Sequence, residues 1–267
     1  MPHVTLRRMR RLFPSSHLPH EPGPEWSLAE LAEEYAYPPA DGGPWLRGNM
    51  VASLDGAAHH GGRSQPLSSR ADMWIFGVLR ALADVVVVGA QTVRQERYGP
   101  ARHRDAFADR RAASGQAPVP AVAVLSASLE LDFALPLFTE PVVPTLVVTG
   151  EGAPPGRVER ARRAGAEVVF AGKGARAEPA LVPGALAERG LRRQLTEGGP
   201  TLLGALAAAG ALDELCLTVA PRLALGDAPR ITAGPGAEVP EEYVLEGVLE
   251  EAGFLFTRYR RLRQTAE

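Results

Sequence analysis

Val85-Val86-Val87-Val88-Gly89-Ala90-Gln91-Thr92-Val93 is a run of four β-branched residues that ends in glycine and passes directly into a helix-compatible segment. A strand with one wet face alternates apolar and polar residues. An unbroken run reads instead as a strand covered on both faces by crossover helices. Just upstream, Ile75, Val78, Leu79 and Leu82 recur at helical spacing and give one apolar face. Further upstream, residues 50–54 read as a strand, and Asp55-Gly56 turns the chain. Downstream, 121–125, 146–149 and 168–170 repeat the short strand pattern, with a helix over 158–164 between the last two. Residues 181–188 read as a helix stopped by Gly190, and 192–196 as a strand. The helix over 201–209 is bracketed by Pro200 and Gly210. This alternation defines an α/β fold with a central, mostly parallel sheet flanked by helices. Residues 215–220, 243–250 and 254–262 are strand-like with no helix between them, so the sheet is expected to finish in an antiparallel hairpin. The polar, Ala-rich stretch 102–120 reads as a mobile loop. Residues 1–45 read as an irregular extension with one short helix, opened by the capping box Ser27-Leu28-Ala29-Glu30, and 46–263 as a single domain.

Composition narrows the function. A chain of 267 residues, 45% hydrophobic and 22% charged, with a formal charge of -2, gives no electrostatic reason to expect nucleic acid or a membrane surface as partner. A small ligand suits it better. The single Cys216 excludes an internal disulfide, a cysteine zinc cluster or a CxxC pair, and its apolar neighbours imply a buried, inert thiol. Arg7, Arg8, Arg10 and Arg11 are not followed by an apolar stretch of signal-peptide length, and no run approaches membrane-spanning length, so a cytoplasmic location is expected. His59 and His60 are adjacent and lack metal-ligand spacing, so no metal is expected.

Glu197-Gly198-Gly199-Pro200-Thr201 has the form of a strand ending in two glycines directly before a helix, either a plain tight turn or a concavity of free N–H groups suited to a pyrophosphate. It is not a GxGxxG fingerprint. At the junction after the valine run, Gly89 opens room, and Thr92 could cap the helix or donate to a phosphate oxygen. Ser126 and Ser128 follow the third strand, where a doubly covered sheet presents its ligand-facing ends. Asp72 stands at capping-box spacing from Ser69, so it either satisfies a helix start or hydrogen-bonds the N–H and amino groups of a heterocycle. Asp55 reads as a turn former or a substrate contact; Ser68 is uncommitted.

Taken together, residues 50–56, Leu67-Ser68, 83–94 and 195–203 resemble, in order and spacing, the reductase domain of the riboflavin-pathway deaminase–reductase family, and most of all its stand-alone, dihydrofolate-reductase-like actinobacterial branch. The resemblance runs from about Leu46 to Tyr259. It implies NADPH across the strand ends, with NADH an open alternative, and hydride transfer to a pyrimidine-type substrate without metal or flavin. It also implies a homodimer. Carried over by position, Gly198, Gly199, Thr201 and Leu202 would hold the pyrophosphate, with Glu197 a further cofactor contact, Gly89, Ala90 and Thr92 at the nicotinamide ribose and phosphates and Ser126 near the adenosine. Asp72 becomes the residue that binds and polarises the substrate, with Ser68 and Asp55 as second choices. Arg94, Arg97 or Arg102 could meet a substrate phosphate.

The chain departs from that pattern in three places. It has no HxE followed by PCxxC, so deamination is absent from its repertoire. Ser126-Ala127-Ser128 stands where relatives often carry an arginine suited to a 2′-phosphate, and Leu225-Gly226-Asp227 where they often read Gly-Gly. Three functions remain open: reduction of 5-amino-6-(ribosylamino)uracil 5′-phosphate to its ribitylamino product, reduction of a dihydropterin or other heterocycle, and nucleotide binding without turnover.

Overall fold

The structure, a computed structural model, describes residues 9–14, 26–39, 42–236 and 239–262. Its first half comprises β1 (Arg10–Phe13), α1 (Leu28–Glu34), β2 (Trp45–Ala52), α2 (Arg70–Leu82), β3 (Val85–Gly89), α3 (Ala90–Gln95), α4 (Ala108–Ala113) and β4 (Ala121–Leu125). Then come α5 (Pro136–Thr139), β5 (Leu146–Thr149), α6 (Pro155–Arg163), β6 (Glu167–Phe170), α7 (Val182–Ala187), β7 (Arg193–Thr196) and α8 (Pro200–Ala208). The chain closes with β8 (Glu214–Val219), β9 (Tyr243–Glu251) and β10 (Phe254–Arg261). All ten strands form one sheet in the order β1-β9-β10-β8-β2-β7-β3-β4-β5-β6. From β8 to β6 neighbours run parallel; β8, β10, β9 and β1 pair antiparallel, which gives the expected terminal hairpin.

The valine run shares its side chains between two layers. Val86 and Val88 join Ile75, Val78 and Leu79 of α2 on one face, whereas Val85 and Val87 join Val182 and Leu186 of α7 on the other. A third cluster sets Leu203 and Leu206 of α8 against Leu46. Full burial of each such side chain is worth about 1.5–3 kcal/mol, so the two-sided run anchors the sheet centre. Cys216 is buried, and burial pushes its thiol well above the usual range, as expected of an inert cysteine. Among the described residues no helix is long and apolar enough to cross a membrane.

Three expectations need correction. The strand placed at 50–54 begins at Trp45 and ends at Ala52, because Trp45–Gly48 pair with β7 and the Ser53–Gly56 turn follows. Arg47 hid its first half, since a charged residue argues against burial until its partner is known. Nor is the stretch 102–120 a mobile loop. It holds a short turn of 3-10 helix at Asp105–Phe107 and then α4, and buried Arg111 donates to the carbonyls of Ala81, Ala83 and Ala117. The N-terminal segment is less irregular than it reads: β1 pairs with β9, and Met9, Trp26, Leu31 and Tyr35 enter the main core. Arg7 and Arg8 lie outside the described residues. The last strand carries a register shift against β9 between Arg258 and Tyr259.

At the amino end of the parallel strands, Arg47 is fully buried. It donates to Glu214 at 3.0 Å and to the Tyr35 carbonyl at 2.7 Å, and it stacks on Tyr37. Trp45 Nε1 donates to the same carboxylate. Glu214→Gln should lower unfolding free energy by about 3–5 kcal/mol, because it strands a buried guanidinium, and the double substitution Arg47→Met with Glu214→Leu should recover part of the loss. Urea titration checks this; a loss below about 1 kcal/mol in the single variant would mean the pair is immaterial.

Candidate active site

The carboxyl ends of β2, β3 and β7 open on a cavity of about 510 Å³. One wall is the β7–α8 turn. Gly198 N donates to Thr196 Oγ1 at 3.2 Å, Gly199 N donates to Thr92 Oγ1 at 2.7 Å, and Gly89 N donates to the Gly198 carbonyl at 2.9 Å. The two glycine amides are therefore spent inside the protein and are not bared toward a ligand, which corrects that part of the sequence reading. Pro200 has no N–H, so the donors left at the head of α8 are the amides of Thr201 and Leu202, for which no acceptor stands among the described residues. Thr92 makes no capping bond to its own helix. Its oxygen accepts from Gly199, which leaves the hydroxyl hydrogen free to donate.

The glycines are needed here for reasons of space. A Cβ at Gly199 would stand 3.0 Å from Thr92 Oγ1, and one at Gly198, where φ is +75°, would stand 3.1 Å from Met50 Sδ. At Gly89 a Cβ would meet nothing nearer than 3.8 Å, so packing within the protein does not require glycine there. With no acidic residue in its first turn, α8 presents neutral donors and its positive dipole end. This donor set fits a dinucleotide diphosphate.

Asp72 forms the opposing wall. Ser69 Oγ accepts from the Asp72 amide at 3.1 Å and so caps α2, whereas the carboxylate points elsewhere, accepting from Thr218 Oγ1 at 2.6 Å and from Ser68. In α1, by contrast, Ser27 and Glu30 close a capping box reciprocally. Burial pushes the Asp72 carboxyl above its usual range, and the two hydroxyl hydrogen bonds oppose that shift. Ser68 and Asp72 both line the cavity.

Glu197 also lines the cavity, but its charge is committed. Arg80 Nε and Nη2 donate to its two oxygens at 2.6 and 2.7 Å, and Tyr98 Oη donates to Oε2 at 2.6 Å. Of the residues singled out from sequence, Gly89, Ala90, Gly198, Thr201 and Leu202 lie off the cavity wall, at the edge formed by the two strand-to-helix junctions, and so do Asp55, Arg94 and Ser126. Asp55 accepts from Ser53 and from the Ala224 and Leu225 amides, which hold its carboxyl down to about 2, so it works as a turn former. Arg94 donates to the Glu130 carbonyl, and Ser126 is buried with its Oγ accepting from the Leu129 amide. Ala90 opens α3, and Arg97, but not Arg102, reaches the cavity. Arg80, Tyr98 and Thr218 escaped the sequence reading because their partners lie 117, 99 and 146 residues away. His59 lines the cavity too, yet among the described residues no group of three His, Cys, Asp or Glu could hold a metal.

A mostly parallel sheet sets a buried carboxylate at a cavity by its strand ends, with the head of α8 beside it, and the family and relatives that this chain matches make it an α/β oxidoreductase of the NAD(P)H-dependent class. The chain belongs to the family described as the RibD C-terminal domain, whose sequence model matches residues 44–248. A curated relative from Methanothermobacter thermautotrophicus, named 2,5-diamino-6-ribosylamino-4(3H)-pyrimidinone 5′-phosphate reductase, is 31% identical over 196 residues, 73% of this chain and 86% of that protein. One of the same name from Aquifex aeolicus is 30% identical over 190 residues, 69% of this chain and 80% of that protein. Among solved structures, a pyrimidine reductase-like protein from Corynebacterium diphtheriae superposes with a TM-score of 0.77 at 29% identity, covering 88% of this chain and 99% of that one.

The raised Asp72 pKa has a stability consequence. The folded protein holds this proton to higher pH than the unfolded chain, so the group costs stability once pH rises past the ordinary carboxyl value toward the raised one. Asp72→Asn should therefore be more stable than the parent at neutral pH, with the gap closing as pH falls below about 4. Thermal melts at both pH values test this; an equal or lower melting temperature for the variant at neutral pH contradicts it.

Proposed function

We propose that this protein uses NADPH to reduce a ribosylamino-pyrimidine 5′-phosphate to its ribitylamino counterpart, a step of riboflavin synthesis. The observation that carries this reading is the Asp72 carboxylate, buried and open to the cavity opposite a turn that fits a dinucleotide. When bound, the reduced nicotinamide supplies a hydride. Reduction of the ring-opened imine would place that hydride on C1′ and a proton from solvent on the nitrogen, the C=N bond becoming a single bond. Asp72 accepts hydrogen bonds from the heterocycle, and Thr218 and Ser68 fix its direction. Glu197, Thr92 and the Thr201 and Leu202 amides shape and hold the coenzyme side.

A carboxylate accepts two parallel hydrogen bonds from an amino group and the adjacent ring N–H. Both the diamino-pyrimidinone and the uracil form offer such a pair, the uracil through N1–H and its 6-amino N–H, so Asp72 suits either. The name carried by the relatives favours the diamino-pyrimidinone. For the coenzyme, Arg157 of α6 donates to the Ser128 carbonyl at 2.6 Å and pairs with Glu130 at 2.8 Å, so it would have to leave Glu130 to meet a 2′-phosphate at the loop where the resemblance expects an arginine. The proposal takes NADPH, the coenzyme that the resemblance implies. The same reading takes a homodimer as the assembled form.

The test follows absorbance at 340 nm with NADPH or NADH against the diamino-pyrimidinone phosphate, the uracil phosphate and dihydrofolate. Oxidation with the first substrate is expected; activity with dihydrofolate alone would transfer the protein to pterin chemistry. Asp72→Asn should lower turnover at least about tenfold, some 1.4 kcal/mol of transition-state stabilisation, with coenzyme affinity nearly unchanged. Arg157→Ala should narrow the preference for NADPH over NADH, and an unaltered ratio of the two Kd values would remove Arg157 from coenzyme selection.

A further inference from the structure

The chain from β3 through α3 to Tyr98 touches the turn after β7 at three points: the Gly89 amide at the Gly198 carbonyl, Thr92 Oγ1 at the Gly199 amide, and Tyr98 Oη at Glu197 Oε2. The third contact is a closed ring. Tyr98 has one hydroxyl hydrogen, given to Glu197 at 2.6 Å, so its oxygen is free to accept from Arg80 Nη2, also at 2.6 Å. Arg80 in turn grips both Glu197 oxygens and stacks on Phe76 at 4.2 Å. Tyr98 is itself delivered by a sharp exit from α3. Its amide donates to the Val93 carbonyl at 3.1 Å, and Arg97 before it takes φ +51°, a left-handed position that ordinarily favours glycine.

Glu197 directly precedes two glycines, the residues with the widest choice of backbone conformation. A side chain fixed at 197 sets the direction in which the chain enters the turn, and so the aim of the Thr201 and Leu202 amides. If that direction were free, binding would have to select it from an ensemble, and apparent affinity would fall by the fraction of molecules already aligned. Arg80 also neutralises a carboxylate that would otherwise stand beside an anion site.

We propose that Tyr98 is a positioning residue whose hydroxyl, by joining Arg80 to Glu197, holds the glycine turn in its coenzyme-receiving conformation. This rests on the reading that the turn takes NADPH.

The experiment titrates NADPH and NADH, without substrate, into the full-length parent, Tyr98→Phe, Thr92→Val and the double variant, following coenzyme fluorescence. Tyr98→Phe should raise the NADPH Kd roughly fivefold, within the range exerted by residues that do not touch a ligand. The double variant should lose less than the product of the two single effects, because both act through one turn. Glu197→Gln, which keeps shape and weakens the Arg80 contact, should shift Kd in the same direction. An unchanged Kd in Tyr98→Phe overturns the proposal, whether accompanied by a raised substrate KM, which would make Tyr98 a substrate contact, or by a lowered melting temperature alone. Strictly multiplicative effects in the double variant overturn it as well. A parent protein that binds neither coenzyme overturns the function reading itself, an outcome visible before any variant is compared.

Discussion

The hydrogen bond from the Gly199 amide to the Thr92 hydroxyl joins the two strand-to-helix junctions on which the site is built. β3 and β7 are neighbours in the sheet, so their carboxyl ends emerge side by side. Adjacent strand ends do not by themselves fix the loops that leave them. The threonine oxygen does so by occupying an amide that a ligand could otherwise use. The consequence is a division of labour at the turn, in which glycine amides hold the protein together and the next two amides remain for a ligand.

Charge is handled differently at Asp72 than at three other carboxylates. Glu214 is matched by Arg47, Asp84 by Arg193 and Glu197 by Arg80. In each case a buried carboxylate meets a guanidinium, the arrangement that limits the cost of removing ions from water. Asp72 is as buried as these, and its described partners are two hydroxyls. Three carboxylates are met by arginines while Asp72, at a cavity, is met by hydroxyls, and it is on this contrast that the proposed role of Asp72 rests.

Much of this was legible in the sequence wherever information is local. The valine run, the glycine pair and the Pro200 and Gly210 brackets each encode their conformation within a few residues, and those elements lie where the pattern puts them. Where charge was read as exposure, the pattern misled: Arg47 concealed half of β2, and Arg111 made a docked helix look like a loop. Asp72 was legible as an ambiguity, because capping-box spacing describes its amide and says nothing of its carboxylate. Arg80, Tyr98 and Thr218 carry no local signal at all, since each acquires its role from a partner brought alongside only by the sheet order.

The place of β1 bears on how the chain is made. Among the described residues the earliest strand occupies the outermost position beside β9, which is made much later. A bare nine-residue edge invites pairing with a second molecule, and Arg10, Arg11 and Pro14 on a short covering strand are the kind of residues that discourage it. During translation the seal exists before the surface it seals. The β1 segment must therefore wait until β9 and β10 arrive, which ties the sealing of that edge to synthesis of the hairpin.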